Sequence, residues 1–321
     1  MQHLQISVPA ERTDDVLDIL RDCPGTATVA VLRGASERPQ GDVVLTQVAR
    51  ESVDGVVRAL RERNVDSDGA ITILNVDTSV SAAAERAELD APGEGQDAVI
   101  WEQVVRTSDD QSRLSWTFLA FLTIATLIAS IAIVVDSAVL VIGAMVLGPE
   151  FGPIAALCVA AVHRRRSIAV RAARSFLVGF AVAASVATLF ALGSNWLGWI
   201  DADTLTAARP ATGFITSPDK WSFIVAFIAG IAGVLALTSA KSGSLVGVFI
   251  SVTTVPAAGN LALAIALANG SEIGRSLTQL SVNVAALLLA GILTMLVQKA
   301  LWRHVPQARP QHIRPSRPSP S

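Results

Sequence analysis

"VIGAMVLGPEFGPIAAL", Val141–Leu157, decides how the chain is read. Its apolar residues run as a membrane-crossing helix would, yet its middle holds two prolines, three glycines and one glutamate. Proline removes a backbone donor and clashes with the preceding turn, so the helix must kink or break here. Unpaired backbone in lipid costs several kcal/mol per group, so such a break survives only inside protein or beside a water-filled cavity.

The stretch has a partner further along. Leu147–Leu157, "LGPEFGPIAAL", aligns with Thr254–Ala264, "TVPAAGNLALA", pairing Pro149 with Pro256, Gly152 with Gly259 and Pro153 with Asn260. Working outward, six apolar segments reach the roughly 20 residues a bilayer crossing needs: Ser115–Val135, Ala138–Val162, Ala172–Leu197, Trp221–Ala240, Ser244–Ala268 and Leu280–Ala300. The two P-x-x-G breaks fall in the second and the fifth. Equivalent elements offset by an odd number of spans run in opposite senses, which predicts a 3+3 inverted repeat of six transmembrane helices. In secondary transporters, paired Gly/Pro-interrupted spans of two inverted halves mark the substrate site. A packing kink without a ligand is the plainer alternative, since Gly and Pro are common in membrane helices.

Composition agrees with a membrane protein that carries a soluble part. Of 321 residues, 51% are hydrophobic and 16% charged, with a mean hydropathy of +0.51. Net charge is −10 over residues 1–113 and +8 over the remainder. The later arginines flank apolar spans instead of lining one polar face, so no nucleic-acid partner is expected. Arg164, Arg165, Arg166, Arg171 and Arg174 follow the second span, Lys241 the fourth, and Lys299, Arg303, Arg309, Arg314 and Arg317 the sixth. The positive-inside rule then places both termini in the cytoplasm of a cell whose inner membrane holds the protein. Trp116, Trp196, Trp199, Trp221 and Trp302 lie near span ends, where interfacial anchors belong. "MQHLQISVPAERTDD" shows no basic segment followed by an apolar one, so insertion is expected to start from the later spans.

Residues 1–80 alternate strand and helix patterns in the order βαββαβ, which predicts a ferredoxin-like domain. "HLQISV", "TATVAVL", "GDVVLTQV" and "AITILNV" read as strands. "ERTDDVLDILRDC" and "ESVDGVVRALRERNV" carry helical spacing. Residues 81–113 read as a linker, from Ser81 to Gln96, followed by an amphipathic interfacial helix. Residues 114–302 form the transmembrane domain, and the Pro-rich residues 303–321 a disordered cytoplasmic tail.

Several side chains near the breaks carry chemistry. Glu150 is the only acidic residue read well inside a span. Such a group usually faces a cavity and serves a proton, ion or substrate; a hydrogen-bonded structural glutamate is the alternative. Ser251, Thr253, Thr254 and Asn260 flank the second break and offer oxygen or amide ligands, although a lone hydroxyl more often bonds its own helix. Lys241 is read at a cytoplasmic mouth or as a helix cap. Gly230, Gly233, Gly243 and Gly247 suit close helix packing.

No P-loop, H-E-x-x-H or G-x-S-x-G is present, and His3, His163, His304 and His312 lie in no ligand spacing. Cys23 and Cys158 offer neither a disulfide framework nor a thiolate site. No enzyme, cofactor, metal or catalytic residue is therefore expected.

At "GAMVLGPEFGPI", "AKSGSLVGVFIS" and "VPAAGNLALAIAL" the chain resembles a bacterial and archaeal membrane family known as a domain of unknown function, number 389, or the uncharacterised hydrophobic domain. The likeness covers about residues 100 to 300. Gly143, Ala144, Met145, Pro149, Gly152 and Pro153 match its second-span motif; Ser242, Gly243, Gly247, Ile250, Val255 and Pro256 match a later one. Gly148, Glu150 and Ala257 depart from it. The resemblance implies a polytopic membrane protein and assigns no substrate. The sequence thus predicts a transporter or channel for a small solute or ion, with a site at Pro149, Glu150, Gly152, Pro153, Ser251, Thr253, Thr254, Pro256, Gly259 and Asn260. The bilayer is its partner, and a homo-oligomer is compatible with the sequence. The rival reading is a membrane-anchored sensor or scaffold whose N-terminal domain binds a ligand or partner.

Overall fold

A computed structural model describes residues 1–91, 98–205, 207–216, 219–239 and 253–304. Lys241, Ser251, Gly243 and Gly247 lie outside the described residues. The chain divides into two compact units, one built on Met1–Glu102 and the other on Gln103–Leu237 with later residues up to Ala300.

The first unit is a four-stranded antiparallel sheet with helices. Its elements are β1 (Gln2–Val8), α1 (Thr13–Arg21), β2 (Thr26–Glu37), β3 (Gln40–Val48), α2 (Arg50–Glu62), the short α3 (Val65–Asp68), β4 (Ala70–Asn75) and α4 (Ala82–Asp90). The sheet order is β2-β3-β1-β4, and every neighbouring pair is antiparallel. Side chains of a strand point alternately to the two faces. Leu4, Ile6 and Val8 accordingly bury on the same side as Val44 and Val48 and meet Val16, Leu17 and Leu20 of α1 and Val53, Val56, Val57 and Leu60 of α2. Burying each such side chain contributes roughly 1.5–3 kcal/mol before ordering costs.

Two features differ from expectation. β2 continues five residues past Leu32 because a register shift between Leu32 and Ser36 absorbs the polar stretch there. Gly34 takes φ +65° in that shift, and its amide donates to Asp42 at 2.8 Å. The segment read as a linker instead contains α4. Ser81 caps it by accepting from the amides of Ala83 and Ala84, and Ala84 and Ala87 are buried.

The second unit is helical: α5 (Trp101–Gln111), α6 (Trp116–Val134), α7 (Ala138–Leu147), α8 (Phe151–His163), α9 (Arg166–Trp196), α10 (Lys220–Thr238), α11 (Thr254–Ala266) and α12 (Gly270–His304). Four of these, α6, α9, α10 and α12, are long and apolar enough to cross a membrane; the pair α7 and α8, bent by 51°, adds a fifth candidate. α11 has 13 described residues, about 20 Å of helix, which is too short to cross alone. The expected fifth span begins outside the described residues, so six spans are not counted among those described.

The packing is that of a protein in lipid. Small residues lie inside: Ala125, Ala129, Ala132, Ala183, Ala187 and Ala191 are fully buried. Large apolar ones such as Phe121, Ile124, Leu177, Leu189, Ile228 and Leu289 face outward. A water-soluble bundle would bury the large ones, whereas in lipid close backbone approach carries the association. These helices mark a multi-pass membrane protein.

Candidate functional site

The break expected in the second span is present, and it positions Glu150. α7 ends where the Gly148 amide bonds the carbonyl of Ala144 at 3.1 Å. Pro149 and Pro153 bring no amide hydrogen, and α8 starts afresh at Phe151 with Glu150 as its N-cap residue. The Glu150 side chain, on a residue only 6% exposed, folds back over Gly148. A Cβ at Gly148 would stand 2.3 Å from Glu150 Oε2 and 2.8 Å from a methyl of Val255. Only glycine admits the carboxylate there.

Glu150 Oε1 accepts from the Thr254 hydroxyl at 2.8 Å. That bond joins the break between α7 and α8 to the first residue of α11. The second break was expected at Pro256–Asn260, but these residues lie inside α11, and the chain just before Thr253 lies outside the described residues. Glu150 Oε2 is buried and has no hydrogen-bond partner. The neighbouring Thr253 accepts at Oγ1 from Gln279 Nε2 at 3.1 Å and from Asn283 Nδ2 at 2.9 Å. Gln279 Oε1 is likewise buried without a partner.

Asn260, expected at the same site, belongs to a second cluster six residues along α11. Its Nδ2 donates to Glu272 Oε2 at 3.0 Å and to the Ser276 hydroxyl at 2.9 Å. Its Oδ1 accepts from Arg209 Nη1 at 2.9 Å. Arg209 Nη2 also pairs with Glu272 Oε2 at 3.4 Å, and Arg275 with Glu272 Oε1 at 3.1 Å. Asn260 is thus fully bonded within the protein. Nearby, Asp136 accepts from the Thr212 hydroxyl at 2.7 Å and from the amides of Thr212 and Ala211 at 2.9 and 3.2 Å. These bonds, the Thr212 hydroxyl foremost, hold its carboxyl below the usual carboxylate range.

The remaining expected residues frame the site. Pro256 stands third in α11 as Pro153 stands third in α8. The two helix starts therefore correspond in a register four residues away from the pairing of Pro149 with Pro256. Gly152 faces the side chain of Gln111. Gly259 lets α11 approach α6: its Cβ would meet Ala129 Cβ at 2.9 Å, and its carbonyl accepts from the Ser130 hydroxyl at 3.1 Å. Gly230 plays a similar part against Ala290.

Sequence reasoning missed Glu272, Ser276, Gln279 and Asn283. Glu150 is not the only buried acid in the helical unit, because Glu272 is buried in the first turn of α12. Their spacing of four, three and four residues is one helical face. That signal was present, but a sixth span started at Leu280 excludes most of it.

Comparison with known proteins bears out the resemblance and adds no activity. Residues 145–289 match the family described as "Domain of unknown function (DUF389)". An "Uncharacterized protein" of Methanocaldococcus jannaschii is 23% identical over 224 residues, covering 69% of this chain and 66% of its own length. No solved structure matches the chain.

Proposed function

We propose that the protein is a secondary transporter or channel for a small solute or ion, its pathway passing the break at Gly148–Glu150 and the start of α11. The observation that carries this is a buried polar seam in a bundle whose outer surface is apolar. Glu150 and Thr254 stand at one end, then Thr253, Gln279 and Asn283, then Ser276, Asn260, Glu272 and Arg209. Polar groups inside a membrane protein are costly and mark conduction or binding more often than packing. Broken helices beside such groups are what transporters use to present backbone and side-chain ligands at the midplane.

Six spans in a 3+3 inverted repeat belong to the same reading. α8 and α11 support it, since both have 13 residues and both carry proline at the third position. The strand order β2-β3-β1-β4 supports a ferredoxin-like N-terminal domain, which on the positive-inside argument lies with both termini in the cytoplasm.

The test is reconstitution of the full chain into liposomes and current or tracer measurements across a panel of inorganic ions, amino acids and carboxylates. Flux above empty vesicles, reduced by Thr254→Val, is expected. A folded, oriented preparation that moves nothing in the panel above empty vesicles overturns the reading and leaves a membrane-anchored sensor or scaffold in its place.

A further inference from the structure

We infer that Glu150 and Gln279, with the hydroxyl oxygen of Thr254, form a binding site for a monovalent metal cation; this rests on the transport reading, since it names the ion of the same seam. Two oxygens carry the inference. Glu150 Oε2 and Gln279 Oε1 are both buried, and neither has a hydrogen-bond partner. A buried acceptor without a donor is costly, and two within one hydrogen-bonded group call for an explanation.

The amide donors of this group and the Thr254 hydroxyl are already committed. The Thr254 hydroxyl serves Glu150 Oε1, while Gln279 Nε2 and Asn283 Nδ2 both serve Thr253 Oγ1. The side chains holding the two free oxygens are bonded to successive residues, Thr253 and Thr254. Carboxylate, amide carbonyl and hydroxyl oxygens are a hard donor set, the kind that binds alkali and alkaline-earth ions.

Charge selects among these ions. Glu150 supplies the one negative charge. The other buried carboxylate among the described residues of the helical unit, Glu272, is held by Arg209, Arg275 and Asn260. The helix starts of α8 and α11 lie at Glu150 and Thr253 and add partial positive charge. These ends offset part of the carboxylate's charge, so the group can attract one positive charge at most and not two. Among the described residues no three His, Cys, Asp or Glu side chains gather as a metal cluster. Sodium and potassium share the required chemistry. A proton is the rival occupant; it would bind Glu150 and leave the Gln279 carbonyl immaterial to affinity.

The experiment uses the full chain in detergent at fixed pH. Sodium or potassium chloride replaces N-methylglucamine chloride at constant ionic strength while the thermal midpoint is followed. A saturable rise with sodium or potassium is expected, because a ligand bound only to the folded state stabilises it by mass action. Glu150→Gln should abolish the response, and Gln279→Met should weaken the apparent affinity about tenfold, the scale of one lost ligand. Radiosodium binding to the unaltered protein, near one ion per chain and displaced by unlabelled sodium or potassium, provides a measurement that needs no variant. The inference is overturned by a midpoint indifferent to both salts, by a response that survives Glu150→Gln, or by a response to pH alone. Stoichiometric binding with no flux in liposomes keeps the cation site and removes the transport reading. Flux indifferent to sodium, potassium and Glu150→Gln does the reverse.

Discussion

Replacing Arg209 by methionine tests the most deeply buried ion pair described in the helical unit. The Arg209 and Glu272 side chains are 9% and 6% exposed, so the pair is shielded from water and the surface value of about 0–1 kcal/mol does not apply. Removing one partner of a buried pair costs roughly 3–5 kcal/mol, most of it from the charge left behind. Glu272 would keep Asn260 Nδ2 and Arg275 Nη1, which argues for the lower end, while Asn260 Oδ1 would lose its donor from Arg209. The expected cost is about 3 kcal/mol, roughly a hundredfold in the unfolding equilibrium. Unfolding in mixed micelles by increasing dodecyl sulfate fraction, read by tryptophan fluorescence, measures it. Adding Glu272→Gln removes the stranded charge, so the double variant should recover about 1–2 kcal/mol relative to the sum of the singles. A cost for Arg209→Met below about 1 kcal/mol, or strict additivity in the double variant, would refute a closed, buried pair.

Gly148→Ala should expel the Glu150 carboxylate, because its Cβ would fall 2.3 Å from Oε2; loss of the sodium- or potassium-dependent midpoint shift in a folded protein is the expected readout. Gly259→Val should destabilise the helical unit by about 1–3 kcal/mol through overpacking against Ala129 and Ser130, measured by the same micellar unfolding. In the first unit, the Asp42 carboxyl is held below its usual range by the Gly34 amide, then the Thr13 hydroxyl and Arg33. A depressed folded-state value contributes stability that is whole above the unfolded value of about 4 and drains away as pH falls through the folded one. Hydrogen exchange in β1 and β3 should therefore show Asp42→Asn weakening protection near neutral pH, with the difference from the unaltered chain shrinking below about pH 4. A difference that stays constant with pH would mean Asp42 stabilises the sheet by shape alone.

Much of this fold was legible because burial follows period. Strand β1 alternates Leu4, Ile6 and Val8 with polar residues, and α2 spaces Val53, Val56, Val57 and Leu60 on one face. Both faces of the pattern can be read without knowing any neighbour. The shift in β2 escapes that logic, since Arg33 and Gly34 are placed by bonds to Asp42 rather than by alternation. α4 was obscured because "AAAERAELD" is small and polar like a linker, although alanine is also the best helix former. In the membrane unit hydropathy finds helices but not which ones touch. Glu150 and Thr254 are 104 positions apart, and nothing in either local pattern says that the hydroxyl serves the carboxylate. Arg209 is harder still: it sits in a polar connection, and only the fold turns it inward to Glu272 and Asn260.

The register of the two proline-bearing helix starts bears on how the proposed site is divided between α8 and α11. Matching P-x-x-G with P-x-x-G pairs Glu150 with Ala257, a buried alanine in the interior of α11. Matching the helix starts pairs Glu150 with Thr253, because each is the residue before a 13-residue helix with proline third. The second register puts an oxygen-bearing side chain at the mouth of each helix, and both of those side chains are hydrogen-bonded: Glu150 to Thr254, Thr253 to Gln279 and Asn283. The start of α8 then contributes the charge and the start of α11 neutral oxygens. Such a division has a physical consequence. Two carboxylates at matched positions would repel across a low-dielectric gap and drive one toward protonation, so a single charge met by hydroxyls and an amide keeps the group open to one cation. Thr253→Glu would put a carboxylate at both helix starts, and it should make the salt response weaken and become strongly pH-dependent, because among the described residues Thr253 is bonded to the amides of Gln279 and Asn283 and to no cation.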